Sequence, residues 1–451
     1  MSKQKIQLSD HFDYSRLLRF VLPCVGTMLF TSIYGIVDGL CVSNFVGKTA
    51  FAAVNLIMPV PMLVGSVGFM LGTGGSAIVG ITLGEGDREK ADRYFSLFVW
   101  TGLVAGLLLA VVGFFAVRPA ASLLGAKGEM LDYAVRYGRL LMACLPFFIL
   151  QNMFQSFFVT AEKPHLGFAF TVAAGVTNMV LDVVLVGMLH GGVEGAAIAT
   201  FISQAVGGVL PVFYFLNKRS SSSIHLGRAQ WNGGVIRSAC INGSSELMTN
   251  LSMSLVNILY NYQLLRFAGE NGVAAYGVIM YAAFLFVAVF VGYAVGSAPI
   301  VSYHYGARNH AELNNLYSKS LRLIGVIAVV MTALSMLVIP YVARIFVGYD
   351  AELLALTSHA FRVYALNFFL MGFNVYGSSF FTALGDGVTS ALISFLRTLL
   401  FQLLALIFLP MVLGIEGVWL AVTAAEAGAL CVTVLMFITK DKVFHYRKAS
   451  C

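Results

Sequence analysis

The stretch LVAGLLLAVVGFFAV at residues 103–117 is continuously apolar and indicates a helix that crosses a membrane. A second stretch of this kind, LLFQLLALIFLPMVL, lies at residues 399–413. Strands of a membrane barrel would alternate between apolar and polar residues over about ten positions, and neither stretch does. Hydrocarbon offers no partner to a backbone N–H or C=O group, so both stretches are expected to satisfy these groups as helices.

The composition of the whole chain agrees with a membrane protein. Of 451 residues, 59% are hydrophobic and 11% are charged, against roughly 25% charged in a soluble domain. A soluble fold of this length needs more charge to cover its surface, which excludes a cytosolic enzyme, a secreted disulfide scaffold and a disordered chain. The six cysteines have no CxxC spacing, so no metal site or disulfide framework is indicated.

The hydrophobic pattern predicts twelve membrane spans and therefore an all-α membrane protein. We place the spans at residues 17–42, 50–83, 94–117, 136–160, 166–189, 195–216, 235–265, 273–303, 316–340, 360–384, 388–412 and 417–438.

Basic residues favour one side of this arrangement. If the N-terminus is cytoplasmic, Arg88, Lys218, Arg308 and Lys440 all fall on the cytoplasmic side, together with most other Lys and Arg residues. We therefore predict a multi-pass protein of the cell (plasma) membrane with both termini in the cytoplasm. This topology explains the net charge of +7, so the lipid bilayer is the expected partner and nucleic acid is not.

The sequence repeats itself with a constant offset of 222 residues. Gly192-Val-Glu-Gly195 corresponds to Gly414-Ile-Glu-Gly417, and Gly84 corresponds to Gly306. One offset across separated regions indicates tandem duplication of a six-helix unit.

The duplication predicts two six-helix lobes that are related by a pseudo-two-fold axis along the membrane normal, with a cavity between them. The first lobe is residues 1–216, and the second lobe, with a short basic tail, is residues 233–451. The polar segment 217–232 (NKRSSSSIHLGRAQWN) is predicted to be a cytoplasmic linker between them.

Acidic residues inside the predicted spans are candidates for function, because each costs a few kcal/mol in the membrane unless it is paired or hydrated. In the first lobe these are Asp38 and Asp182. Further polar residues of the same lobe are Asn152, Asn178, Thr200 and Gln204, of which Asn178 lies one turn before Asp182. Together the six could form a polar pocket, and the alternative is a structural hydrogen-bond network.

Comparison of the two halves favours the pocket. At the corresponding positions of the second half, apolar or aromatic residues replace Asp38, Asn178, Asp182 and Thr200, namely Tyr260, Leu400, Leu404 and Val422. A purely structural network would more readily have persisted in both halves. Two carboxylates in a low-dielectric site can share and release a proton, so we predict a proton or cation site in the first lobe.

The second lobe carries a different polar set, which consists of Glu246, Arg397 and Glu426. Arg397 is expected to pair with one of the two glutamates, because an unpaired buried arginine is very costly. This set is either a structural salt bridge or a substrate-contacting site in the central cavity.

The chain resembles the multidrug and toxic compound extrusion (MATE) transporters over essentially its whole length. The resemblance rests on Val37-Asp-Gly-Leu40, Asn178-Met-Val-Leu-Asp182, Gly195-Ala-Ala-Ile-Ala-Thr-Phe-Ile-Ser-Gln204 and the paired loops 84–92 and 306–314. It implies that Asp38, Asn152, Asn178, Asp182 and Thr200 belong to the family's polar network in the first lobe, and that Glu246 matches a family glutamate. Some members also have an aspartate in span ten. Residues 369–376 of this chain contain Asn374 and no acid, which argues against a sodium site in the second lobe.

The function expected from the resemblance is antiport of organic cations against H⁺ or Na⁺ by alternating access. No nucleotide-binding glycine motif is present, so an ion gradient is the expected energy source. No cofactor is expected, the coupling ion is expected at Asp38 and Asp182, and the protein is expected to act as a monomer. The alternatives are export of a lipid-linked or metabolite substrate on the same fold, a channel, and a membrane-embedded enzyme, for which no catalytic motif is visible.

Overall fold

The computed structural model describes residues 6–46 and 48–447, and within these ranges the regular structure is entirely helical. The prediction that both termini are cytoplasmic concerns in part residues 1–5 and 448–451, which lie outside the described residues.

The helices of the first half are α1 (Tyr14–Phe45), α2 (Lys48–Ile57), α3 (Pro59–Gly84), α4 (Arg88–Leu123), α5 (Gly128–Ala143), α6 (Leu145–Thr160), α7 (Pro164–Leu181) and α8 (Gly192–Leu216). Those of the second half are α9 (Gly233–Asn242), α10 (Ser244–Gly306), α11 (His310–Val347), α12 (Ala351–Ala365), α13 (Phe368–Ala383), α14 (Gly387–Phe395), α15 (Phe401–Leu413), α16 (Ile415–Thr439) and α17 (Asp441–Phe444). Two π-helical segments, Asp182–Met188 and Leu396–Leu400, follow α7 and α14.

The predicted number of spans is confirmed. Within the described ranges, nine helical segments are long and apolar enough to cross a membrane, and two bent pairs, α5 with α6 and α12 with α13, qualify when each pair is taken as one span. The 63-residue helix α10 changes direction at Gly269, where φ is 58°. Glycine adopts this backbone conformation without the steric cost of a side chain, so α10 supplies two spans.

Several predicted boundaries were wrong. The predicted span 50–83 corresponds to one segment, Thr49–Gly84, that is long and apolar enough to cross a membrane, although its helix is interrupted between α2 and α3 because Pro59 lacks an N–H. The predicted spans 136–160 and 360–384 begin earlier and bend by 54° and 46°. Helices α4 and α11 extend several residues past the predicted spans 94–117 and 316–340 at both ends.

The duplication is visible in the backbone. Gly192 and Gly414, which correspond in the repeat, have φ values of 58° and 59° and lie at the starts of the equivalent helices α8 and α16. Asp87 and Asn309 also correspond, and each accepts a hydrogen bond from the backbone of the helix that it caps, α4 and α11.

The pseudo-two-fold axis passes between the ends of α3 and α10. A Cβ atom on Gly84 would overlap the carbonyl oxygen of Tyr303, and a Cβ atom on Gly306 would overlap that of Ile81. Ile81 and Tyr303 are themselves repeat equivalents, so the two contacts are symmetric copies of each other. Both glycines are needed for this close approach of the two lobes.

Large apolar side chains cover the outside of the helices. Phe115 on α4 is 72% exposed and Ile345 on α11 is 80% exposed, and many aliphatic residues share this exposure. An apolar surface of this extent is stable only against lipid.

Residues 6–13, which we call the N-terminal strap, connect the two lobes. The backbone N–H of Leu8 donates to Glu162 Oε1 of the first lobe over 2.8 Å, and that of Phe12 donates to Glu312 Oε1 of the second lobe over 2.9 Å. Lys319 Nζ donates to the carbonyl oxygen of Phe12 over 2.8 Å. Leu8 and Phe12 are both buried, so the strap is packed against the protein as well as hydrogen-bonded to it.

Candidate functional site: a buried acidic pair and a central cavity

Asp38 on α1 and Asp182 at the end of α7 lie side by side inside the first lobe, and the amide of Asn178 interacts with Asp38. Asp182 and Asn178 are buried. Their polar atoms are poorly satisfied, because Asp38 Oδ1, both carboxylate oxygens of Asp182 and both amide atoms of Asn178 make no hydrogen bond of good geometry within the described residues. The groups that act on the two carboxylates are each other and Asn178, none of which is basic.

The remaining predicted residues of the first lobe lie at different distances from this pair. Thr200 interacts with the hydroxyl of Tyr137, a buried residue that also feels the charges of both aspartates. Gln204 Oε1 accepts a hydrogen bond from Cys144 Sγ over 2.8 Å. Asn152 donates to the carbonyl oxygen of Phe148 in its own helix over 2.9 Å. The structure thus brings Asp38, Asn178 and Asp182 together and places Tyr137 near both aspartates and near Thr200, although the Tyr137 hydroxyl makes no hydrogen bond of good geometry within the described residues.

Tyr137 was missed in the sequence, where it lies at the very start of predicted span 136–160. The bend between α5 and α6 turns α5 toward α8, which brings Tyr137 to the acidic pair. A tyrosine at the edge of an apolar stretch carries no sequence signal for such a position.

The backbone is distorted at the charged residues of both lobes. Asp182 begins one π-helical segment, and Arg397 lies in the other. The two are not repeat equivalents, since Asp182 corresponds to Leu404 and Arg397 to Gly175. Each lobe therefore has its own helical distortion at its own charge, a feature that is frequent at functional sites.

A cavity of about 440 Å³ lies between the lobes, and the second lobe supplies most of its wall. The first lobe contributes Thr73, Ser76 and Ala77 of α3 and Ser156 of α6. Beyond Ala77 the cavity ends, because Gly80 of α3 meets Ser302 of α10. The acidic pair Asp38–Asp182 does not line this cavity.

The closed end of the cavity is the end that carries segment 217–232. The backbone N–H of His225 donates to Asp92 Oδ1, and that of Gly227 donates to Ser96 Oγ, each over 2.8 Å. Both acceptors lie near the start of α4, directly after the end of α3 that meets Ser302.

Glu246, Arg397 and Glu426 all line the cavity. Arg397 Nε lies 3.8 Å from Glu426 Oε1, and the charge of Arg397 also acts on Glu246. Asn374 Nδ2 donates to Glu426 Oε2 over 2.7 Å, and Thr433 Oγ1 donates to Asn374 Oδ1 over 2.9 Å. The second lobe therefore holds Glu426 by two neighbours, Arg397 and Asn374, of which Asn374 is fixed by Thr433, and it leaves Glu246 with a single charged neighbour.

The repeat is more complete in the polar residues than the sequence comparison indicated. Asn152 and Gln204 of the first lobe correspond to Asn374 and Glu426 of the second. The prediction that the polar set belongs to the first lobe alone is therefore wrong for these two positions, although it holds for Asp38, Asn178, Asp182 and Thr200.

Comparison with known families gives one match, to MatE, at residues 23–184 and 247–407. Each half of the chain therefore carries one copy of the family's unit.

Curated relatives match nearly the whole chain. The multidrug export protein MepA of Staphylococcus saprophyticus is 22% identical over 434 residues, which cover 95% of each protein. MepA of Staphylococcus haemolyticus is 23% identical over 437 residues, which cover 97% of this chain and 95% of the relative.

Solved structures share the fold. A structure described as the outward-facing conformation of a multidrug resistance MATE family transporter superposes with a TM-score of 0.92 at 24% identity, and covers 99% of both chains. A MOP superfamily transporter from Pyrococcus furiosus has a TM-score of 0.89 at 25% identity, over 98% of this chain and 99% of the other.

Proposed function

We propose that this chain, which belongs to the MATE family of transporters, exports organic, mainly cationic compounds across the cell membrane in exchange for H⁺ or Na⁺. Family membership and the multidrug export relatives point to a multi-pass membrane transporter and not to an enzyme. The proposal includes the coupling ion, the charge of the substrate and action as a monomer. It also includes the cytoplasmic position of the termini and the division into lobes 1–216 and 233–451 with linker 217–232.

The proposal of ion coupling rests on one observation, the pair Asp38 and Asp182. Both are acidic, and among the residues that the structure describes no basic group neutralises them and buried atoms of both lack a hydrogen-bond partner. Two ionised carboxylates in contact at low dielectric repel strongly, so a proton or a cation between them lowers the energy of the pair. Carboxylate and amide oxygens suit a hard cation as well as a proton, so this donor set supports H⁺ and Na⁺ alike.

Helix α1 offers a route from this pair to the cavity. It carries Asp38 in one half, and in the other half Val21 and Val25 contact Gly292 and Gly296 of α10. A change in the packing of α1 that follows ion binding would therefore alter the contact between the lobes. This gives a physical link between an ion site and a substrate cavity that are separate in space.

The cavity supports alternating access. It is closed by Gly80 and Ser302 at the end that the distribution of basic residues predicts to be cytoplasmic, so this conformation would be open to the outside. The likeness to a transporter described as outward-facing supports the same assignment. Rocking of the lobes that separates the α3–α10 contact would expose the cavity to the cytoplasm.

The cavity wall supports cationic, varied substrates. Its charged residues are two glutamates and one arginine, and Tyr260, Tyr276 and Tyr364 stand beside them. Aromatic faces attract cations, and the methionines of the wall, Met253, Met280 and Met371, adapt to differently shaped molecules.

Dye efflux from everted vesicles tests the proposal. We expect uptake of a cationic dye that stops when the coupling gradient is dissipated, with the H⁺ and Na⁺ gradients collapsed separately, and that continues without ATP. Asp38→Asn is expected to abolish this uptake, whereas Asp132→Asn, which removes an exposed carboxylate of α5, is the matched control. Uptake that needs ATP, or that survives in Asp38→Asn, would contradict the proposal.

A further inference from the structure

We propose that Arg397 recognises an anionic group of the substrate, so that the cavity prefers zwitterions to simple cations of the same shape. This inference rests on the proposed transport function and specifies the substrate class of its cavity.

The first step is the incomplete pairing of Arg397. Its Nε atom is 3.8 Å from Glu426 Oε1, which exceeds hydrogen-bond distance. The other carboxylate oxygen of Glu426 already accepts a hydrogen bond from Asn374. The Nη1 atom of Arg397 is buried and has no hydrogen-bond partner among the described residues. A buried donor in this state is costly and gains from any acceptor that reaches it.

The second step is the position of Glu246. It lies on α10, lines the same cavity, and Arg397 is the charged group that acts on it. Because Glu426 is held by Asn374 and by Arg397, Glu246 is the carboxylate that remains for a cation of the substrate. The wall thus presents a carboxylate and an unsatisfied guanidinium donor within electrostatic reach of each other, an arrangement that complements a molecule with both charges.

The third step is that the scaffold does not need these charges. In the first repeat, Cys24 stands at the position of Glu246 and Gly175 at that of Arg397. The first lobe builds the same helices without them. A guanidinium placed on a π-helical segment, in a cavity wall and with a free donor, is better explained by recognition than by support of the fold.

Binding to the purified full-length protein in lipid nanodiscs tests the inference. The probes are rhodamine B, which carries a free carboxylate and a cationic ring system, and its ethyl ester, which is a cation of nearly the same shape. We expect the wild type to bind rhodamine B about tenfold more tightly than the ester in fluorescence anisotropy, because one charge-assisted hydrogen bond separates the two probes.

Two variants identify the residue responsible. Arg397→Gln should lose this preference, so that the ratio of the two affinities falls from about ten to about one, because no donor remains that distinguishes the acid from the ester. Glu246→Gln should weaken both probes equally, because it removes the group that binds their shared cation. A preference that persists in Arg397→Gln would overturn the inference.

If Arg397→Gln does not fold, binding of the two probes to the wild-type protein still tests the inference. An ester that binds as tightly as the acid, or more tightly, would refute it. These measurements use no ion gradient, so failure of coupled transport in vesicles would count against the proposed function and would leave the binding preference to be judged by itself.

Discussion

Asn374 donates to Glu426 across 2.7 Å at the two positions where the first lobe has Asn152 and Gln204. The duplicated unit thus keeps an amide on one helix and a polar acceptor on its neighbour in both lobes. Only the second lobe has a charge at the acceptor position, and that charge faces the cavity. The two lobes therefore differ in chemistry more than in architecture.

This difference predicts that Asp182→Asn and Glu426→Gln have distinct effects. Asp182→Asn should abolish release of the coupling ion when substrate is added, because a neutral amide removes half of the acidic pair. Glu426→Gln should keep ion release and weaken the binding of a cationic dye by about tenfold, because Arg397 without its counter-charge repels the cation. The measurement is proton release or Na⁺ binding by the purified protein. The reverse result would move the coupling site to the second lobe.

At the contact on the pseudo-two-fold axis, we expect the addition of a single methyl group to have a strong effect on stability. Gly84→Ala should destabilise the closed end of the cavity by about 1–3 kcal/mol, because the new Cβ overlaps the carbonyl oxygen of Tyr303. The matched control is Gly277→Ala in α10, where no atom lies within 4 Å of the added Cβ. Thermal unfolding in detergent should separate the two variants, and an equal melting temperature would argue that the lobes can move apart here at no cost.

Weaker binding of the N-terminal strap is a second change that we expect to loosen the closed end of the cavity. Glu312→Ala removes the acceptor of the Phe12 N–H and the partner of His11, whose Nδ1 lies 2.6 Å from Glu312 Oε2. We expect proteolysis within residues 6–13 to become about tenfold faster, because the strap loses two of its polar contacts with the second lobe. Glu352→Ala, which removes an exposed glutamate from the first turn of α12, controls for loss of a helix-terminal charge. Equal cleavage rates in the two variants would show that Glu312 does not hold the strap, and that its other contacts, such as those to Glu162 and Lys319, are sufficient.

Asp386, in the turn between α13 and α14, predicts a pH dependence of stability. Burial acts to raise its pKa, but hydrogen bonds from Lys440 and Thr389 outweigh burial, and the pKa lies below the ordinary value of 3.8. A carboxyl group with a lowered pKa stabilises the folded protein above its unfolded-state pKa and loses this contribution as the pH falls through the folded-state value.

The wild type should therefore melt at a higher temperature than Asp386→Asn near neutral pH, and the difference should shrink below about pH 4. Melting curves of both proteins over this range check the expectation. A difference that does not depend on pH would contradict the assignment to the carboxylate charge, since asparagine can also cap α14.

The architecture was predictable because the membrane imposes it. Runs such as residues 103–117 have one stable conformation in hydrocarbon, and the offset that relates Gly192 to Gly414 needs no three-dimensional information. The acidic residues were predictable for the same reason, since Asp38 and Asp182 are too costly in a span to be there without a role.

The details that the sequence could not supply depend on tertiary contacts. Tyr137 reaches the acidic pair because the α5–α6 span bends, and hydropathy does not report a bend. The strap has no helical period, and its attachment points, Glu162 and Glu312, are ordinary loop and helix-end residues in the sequence. The location of the cavity, mostly in the second lobe, follows from how α3 and α10 meet and not from any motif.

The strap also sets an order of events in biosynthesis. Phe12 and Glu312 are separated by 300 residues, so their hydrogen bond must wait until the second lobe has begun to emerge from the ribosome. At about 5–20 residues per second, this delay is about 15–60 seconds. During that interval the first lobe can insert and pack, and its contact to the strap through Glu162 is available early. Binding of the strap to the second lobe is therefore a late step of assembly, and it takes place only in a chain in which both lobes are present.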